Sequence, residues 1–275
     1  RPHCLYFIPY FSRSVVFEKM KLKGRAYYIR KTHRYLGIFI GIQFVLWTLG
    51  GLYFSWTNLD EIHGDHLYHA MAQVDPSMAI ISPSEAIKGN VPDGRIVDMA
   101  KLKVVTVFGE PYYSMMYRDG EAREQFLLIH AGNGKARQPI TEAEARIIAA
   151  GSMHAASGIT SVDLISKEMM GSHHEYREKP LPAWAVTFDH PEGVTAYVGA
   201  NDGQVHAVRT NSWRLFDFLW MLHTMDLAGR DNINNYVLRG FSILGIVTVM
   251  SGFLLFFISS KNVRRILMAV RKRNA

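Results

Sequence analysis

Residues Tyr35–Trp56 read YLGIFIGIQFVLWTLGGLYFSW, and Gln43 is the only strongly polar side chain among them. A helix rises about 1.5 Å per residue, so about 20 apolar residues cross a hydrocarbon core of about 30 Å. A second such run, Gly240–Ile258 (GFSILGIVTVMSGFLLFFI), lies near the other end of the chain. Buried helices of this length in soluble proteins carry a polar stripe, and neither run does. The pattern predicts two transmembrane helices, over residues 35–57 and 236–259.

Charge orients them. Residues 20–34 hold six Lys or Arg and no acid, and residues 260–275 hold six more, again with no acid. The two flanks carry +12 and residues 1–19 carry +2, so residues 35–259 carry −7 within a chain total of +7. A pI near 9.4 invites a nucleic-acid reading, but the basic residues flank the apolar runs, as the positive-inside bias requires. The expectation is an inner-membrane protein with both termini cytoplasmic and residues 58–235 on the periplasmic side. The bilayer, not nucleic acid, is the first expected partner, with anionic headgroups held at the basic flanks.

Cys4 is the only cysteine, which excludes an intrachain disulfide and any Cys-based metal or iron–sulfur site. The first apolar run is longer than a signal-peptide core and continues as Thr57-Asn58-Leu59-Asp60-Glu61 with no small-residue cleavage site, so it reads as a retained anchor. No Met precedes Met20, and MKLKGRAYYIRKTHR reads as a natural beginning; residues 1–19 are set aside from the fold reasoning.

Between the spans, residues 82–140 and 141–210 look like two versions of one unit. Ser82-Pro83-Ser84-Glu85 and Thr141-Glu142-Ala143-Glu144 are capping-box starts, the first with Pro at the first helical position. Alternating strands follow each, ending at Asn133-Gly134 and Asp202-Gly203, which read as two-residue hairpin turns. Strands are expected over Ile96–Phe108, Tyr112–Tyr117, Val162–Ser166 and Ala183–Phe188. The remaining segments are a basic cytoplasmic N-terminus (1–34), a His-rich periplasmic linker (58–81), an interfacial helix and linker (211–235) and a basic cytoplasmic tail (260–275). The predicted fold class is membrane α+β: two transmembrane helices flanking two helix-plus-antiparallel-meander units.

Three pieces of sequence carry a family resemblance: Arg30-Lys31-Thr32-His33-Arg34-Tyr35-Leu36-Gly37, Glu61-Ile62-His63-Gly64-Asp65-His66, and the run from Trp213 through His223 to Asp226. With the repeated unit, they make the chain resemble the PepSY domain and the PepSY-associated transmembrane family from Lys21 to about Val263. The resemblance implies a bacterial inner-membrane protein with periplasmic PepSY units. Larger relatives have four spans, and some of those bind haem and reduce ferric siderophores. Other PepSY domains restrain peptidases.

The twelve histidines are unevenly placed, with His63, His66 and His69 inside seven residues. If the first span's helix continues past Trp56, His63 and His66 share a face at i, i+3. His223 ends the apolar segment before the second span, at the same predicted membrane surface. One histidine from each side of an apolar gap is what axial haem ligation needs; a divalent metal would add carboxylates such as Asp60 and Asp65. The third reading needs no cofactor and leaves these histidines hydrated at the interface. His33 lies about 45 Å of helix rise from His63 and shares no site with it.

His173-His174-Glu175 reads as solvated loop. Trp213–His223, too short to span, reads as a helix lying in the outer interface with its tryptophans at headgroup depth. Arg230 has Asp226 and Asp231 as candidate ion-pair partners. Gly37-x-x-x-Gly41, Gly245, Ser251 and Gly252 offer small faces for close helix contact, so dimerisation or docking on a partner membrane protein is expected. G-x-S-x-G, H-E-x-x-H, P-loop and G-x-G-x-x-G motifs are absent from the sequence. The expected function is a membrane-anchored periplasmic binding module. The alternative is a haem b electron-transfer protein in iron acquisition, using His63, His66 and His223.

Overall fold

A computed structural model describes residues 24–69, 78, 80–91, 98–154, 157–260 and 265. Cys4, residues 1–19, Lys21, Lys23, most of the basic tail, part of the 58–81 linker and the first two residues of the expected strand from Ile96 lie outside them. The described chain is mixed: helices and antiparallel sheets, with a long apolar helix near each end. These helices are α1 (Arg25–Trp56) and, last in the chain, α6 (Tyr236–Ser259). Both are long and apolar enough to cross a membrane, and α6 buries none of its residues.

The chain divides into two bodies, one made of the described residues up to Gln43 and from Phe241, the other of Phe44–Gly240. In the first, Phe39 and Phe241 stack with ring centroids 5.5 Å apart. His33 Nδ1 and Ser251 Oγ share a hydrogen bond of 2.7 Å. Gly252 makes room for that histidine, since a Cβ there would sit 3.2 Å from His33 Cε1. Gly37, Gly41 and Gly245 face no neighbour within 4 Å, so the Gly37-x-x-x-Gly41 face is unused within the described chain.

In the second body the helix does not run on past Trp56. Asn58 starts a new turn, α2 (Leu59–His63), by accepting the Asp60 N–H, and Gly64 ends it in the left-handed region at φ 78°. Two helix-and-meander modules follow. The first is α3 (Pro83–Asn90) with β1 (Asp98–Val107), β2 (Glu110–Arg118), β3 (Glu124–His130) and β4 (Ala136–Arg137). The second is α4 (Glu142–Ser152) with β5 (Ile159–Ile165), β6 (Ala183–Phe188), β7 (Thr195–Gly199) and β8 (Val205–Arg209). Each set of strands forms its own antiparallel sheet in sequence order.

The modules share atomic detail. Ser82 and Thr141 accept the Glu85 and Glu144 N–H groups, and at Thr141 the Glu144 side chain returns the bond to complete a capping box. The residue before each cap donates to the turn after the third strand: Ile81 N–H to Ala131 O at 2.9 Å, Ile140 N–H to Ala200 O at 2.7 Å. The same turn residues donate to prolines, Ala131 to Pro111 O and Ala200 to Pro182 O. An aromatic two residues beyond each proline bonds the pre-cap carbonyl, Tyr113 Oη to Ile81 O and Trp184 Nε1 to Ile140 O.

The turns differ from the predicted two-residue type. His130 N–H bonds Lys135 O while Gly134 N–H bonds His130 O, and Gly199, Gln204 and Gly203 repeat the pattern, so each loop has four residues. The glycine supplies a left-handed last position, at φ 70° and 63°. Ala131 and Ala200 are thereby freed to bond the prolines, which a two-residue turn would not allow.

One face of the first sheet packs on α3 through Tyr113, Ile129 and Ala131. Its other face contributes Val105, Val107 and Leu128 to the main core, where they meet Ile140, Ala145 and Ala149 around α4 and Val186, Val198 and Val208 from the second sheet. The far face of the second sheet is covered by the segment around Tyr176, which is fully buried against Ala183, Ala185 and Tyr197. The last helix of this body is α5 (Asn211–Thr224), capped by Thr210.

Candidate functional site

The histidines expected to form one site are not brought together. Gly64 ends α2 between His63 and His66, so the two share no helix face. His63 is exposed. His66 Nε2 lies 3.5 Å from Glu192 Oε2, and Glu192 O in turn accepts the Asn211 N–H at the start of α5. His223 is at the other end of that helix, twelve residues on, or about 18 Å by rise. Its ring stacks on Trp47 at 4.7 Å with Phe54 edge-on at 5.4 Å, and its carbonyl accepts Trp47 Nε1–H at 2.8 Å. Gly50 and Gly51 admit the ring; a Cβ on either would stand 3.7 Å from it. These residues do not fit a haem held axially by His63 or His66 and His223 within one chain. Among the described residues no group of three or more His, Cys, Asp or Glu is disposed to hold a metal ion.

The segment read as solvated loop is instead the hub that fixes α5. Glu175 accepts Arg214 Nε at 2.6 Å, Arg214 Nη2 at 2.9 Å and Tyr197 Oη at 2.8 Å. Burial pushes the Glu175 carboxyl up, but Arg214 and Tyr197 outweigh it and hold it below the ordinary range. Arg177 donates to Asp217 at 2.7 Å and to Asp231 at 2.8 Å, and Arg230 pairs with the second oxygen of Asp217. Arg230 therefore takes neither partner expected of it; Asp226 instead accepts the Gly229 and Asn232 N–H groups and folds the loop after α5.

Trp213 is buried under Arg209, whose guanidinium carbon is 4.0 Å from the ring centroid, and so is not a headgroup anchor. Leu215, Phe218 and Leu222 form the exposed apolar side of α5. No local pattern marks Asp217 as a core residue, because its partners lie 13 and 40 positions away.

A cleft of about 670 Å³ opens between the two modules. The face of the first sheet that enters the core at Val105 and Val107 continues outward as Lys103 and Lys101. Met116 and Phe126 are paired across from Lys101 on the neighbouring strands. The opposite wall is Lys167, Lys179, Pro180, Leu181 and Pro182, with Asp202 and His206 at the base. Asp202 joins the walls, bonding Lys103 Nζ at 2.7 Å and His206 Nε2 at 3.0 Å. Burial raises its carboxyl, but His206 first and Lys103 second overcome that and bring it down to about 2. Lys101, Lys167 and Lys179 make no ion pair among the described residues, and they share the lining with the carboxylates of Glu124 and Glu168 and with the apolar Met116, Phe126 and Leu181. Among the described residues β1 is an edge strand, paired only with β2. Sequence reading missed this site; its one local signal is Lys101-x-Lys103, two lysines on the same face of a strand.

Comparison with family models, with curated proteins and with solved structures finds no match for this chain.

Proposed function

We propose that this chain is a membrane-anchored periplasmic binding module of the PepSY-associated transmembrane type, taking an extended, acidic and partly apolar peptide segment in the cleft between its modules. The observation that carries the reading is the cleft itself, lined by Lys101, Lys167 and Lys179 and by Met116, Phe126 and Leu181, with Glu124 and Glu168 also in its lining and with β1 at the edge of its sheet. An added strand draws affinity from main-chain bonds along β1, while alternate side chains reach the apolar strip and the lysines. The volume falls within the usual range of ligand sites, about 300–1,000 Å³. Anchoring is supported by two long apolar helices with almost no buried surface and by basic flanks at both ends.

The test uses the full chain in lipid nanodiscs and two labelled decapeptides of alternating Leu with either Glu or Lys, followed by fluorescence anisotropy. The acidic peptide binds, the basic one does not, and Lys101→Glu with Lys179→Glu reduces acidic-peptide affinity by at least about tenfold, the worth of two partly exposed charge contacts. Equal binding of the two peptides, or no effect of the charge reversal, rejects the reading.

A further inference from the structure

His69 and His154 come from segments 85 positions apart and meet with ring centroids 3.7 Å apart at an interplanar angle of 65°. Backbone sets this meeting. Tyr68 and Met153 form an antiparallel bridge, flanked by His69 N–H to Ser152 O at 2.7 Å and His154 N–H to Leu67 O at 2.9 Å. His69 and His154 are both exposed, while Leu67, Tyr68, Ser152 and Met153 beside them are buried or packed against the main core. No carboxylate, hydroxyl or guanidinium among the described residues bonds either ring. His66, three positions earlier, is occupied by Glu192.

We propose that His69 and His154 form a two-histidine site for a divalent transition-metal ion of the zinc, nickel and copper class, with water filling the other positions. Imidazole suits these ions, whereas magnesium and calcium demand oxygen ligands. With metal–nitrogen bonds of about 2.0–2.1 Å, two imidazole ring centres on one ion stand about 4.5–5 Å apart, so the rings swing open by about 1 Å from their 3.7 Å separation to admit it. The backbone ladder holds the two segments together before the ion arrives, so only the side chains are ordered on binding. The ion would fasten the segment after α2 to the end of α4, tying the His-rich linker to the second module.

The experiment uses the full chain in nanodiscs, purified without a histidine tag. Zn²⁺ binding is followed by calorimetry and Cu²⁺ binding by electron paramagnetic resonance. The wild type takes one ion in its tightest site, with two equivalent nitrogens coupled to copper and a melting temperature raised by Zn²⁺. His69→Ala and His154→Ala each weaken that site by at least about tenfold, as even outer-shell losses do, and abolish the zinc-induced rise. His66→Ala leaves both readouts unchanged. Because the pair is exposed, the metal-free melting temperatures of all three variants stay close to wild type, which separates lost ligation from lost folding. Undiminished binding in either single variant, a loss as large in His66→Ala, or a copper signal with one coupled nitrogen overturns the proposal.

Discussion

Replacing Asp217 by Ala removes the centre of the hub that holds α5. Its side chain is 4 % exposed and receives Arg177, 14 % exposed, and Arg230, 19 % exposed. The substitution strands two largely buried guanidiniums beside each other, and Arg177 already has its Nη1 unpartnered. Breaking a buried pair by removing one partner costs about 3–5 kcal/mol, more than the pair itself contributes, because the remaining charge is left desolvated. Asp231 still holds Arg177 at 2.8 Å, which keeps the loss within that range. For a body the size of Phe44–Gly240 each kcal/mol moves the melting temperature by about 2–4 °C, so a drop of about 6–20 °C is expected. The assay is thermal unfolding of the full chain in detergent, followed by tryptophan fluorescence, since Trp213 packs on this network. Adding Arg230→Ala to Asp217→Ala should recover about 1 kcal/mol or more by removing one stranded charge. Arg146→Ala, which loses only an exposed i, i+4 pair with Glu142, should shift melting by less than about 2 °C. A fall under about 3 °C for Asp217→Ala, or no recovery in the double variant, refutes the reasoning.

Three further outcomes are expected. The Asp202 carboxyl is depressed to about 2 in the folded state, so its stabilisation is present above the ordinary value near 3.9 and lost as pH falls through 2; Asp202→Asn should flatten the acid limb of the wild-type stability curve between about pH 4 and 2 by about 2 kcal/mol, measured by urea titration at each pH. Gly134→Ala and Gly203→Ala place a Cβ in the left-handed region at 2.9 Å from Ile81 Cδ1 and 3.2 Å from Ile140 Cδ1, so each should lower stability by about 1–3 kcal/mol, whereas Gly171→Ala, facing open space, should stay within about 0.5 kcal/mol. A phosphatase reporter active only in the periplasm should be active when fused at Gly171 and silent when fused after Ala275, and an active C-terminal fusion would reject the two-span topology.

What was legible in the sequence is what depends on neighbours a few positions away. Apolar runs without a polar stripe mark α1 and α6, and Ser or Thr three positions before Glu marks the starts of α3 and α4. Alternation marks most strands to within two or three residues. The shared face of His63 and His66 depends on the first helix running on past Trp56, which two local signals rule out: Asn58, a strong cap residue, and Gly64, a ready left-handed terminator. The other differences fall where distant contacts decide. The two tryptophans of α5 looked like interface anchors, but Arg209 covers Trp213, and Trp220 packs on Phe54 at 5.8 Å. His173-His174-Glu175 looked solvated because its charges are polar in any local window; only Arg214 and Tyr197, 39 and 22 positions away, bring Glu175 inside.

The two modules also show how one turn is put to two uses. In the first, Asn90 at the end of α3 donates to Gly134 O at 2.7 Å and accepts the Ala136 N–H at 3.2 Å, so the turn is tied to its own helix. The position equally far beyond the cap in the second module is Ala149, fully buried in the core, with no group to spare for the turn. That turn reaches outward instead. Asp202 replaces Asn133 and binds Lys103, while Gln204 replaces Lys135 and donates through Nε2 to Thr106 O at 3.0 Å. A neutral turn residue suits an internal tie, and a buried carboxylate needs cations, which Lys103 of the other module and His206 provide. Lys103, Asp202 and His206 therefore serve at once as the joint between modules and as the base of the cleft. A shift at that joint moves the wall carrying Lys179 and Leu181 against the wall carrying Met116 and Phe126, so the spacing of the modules sets the width of the proposed binding site.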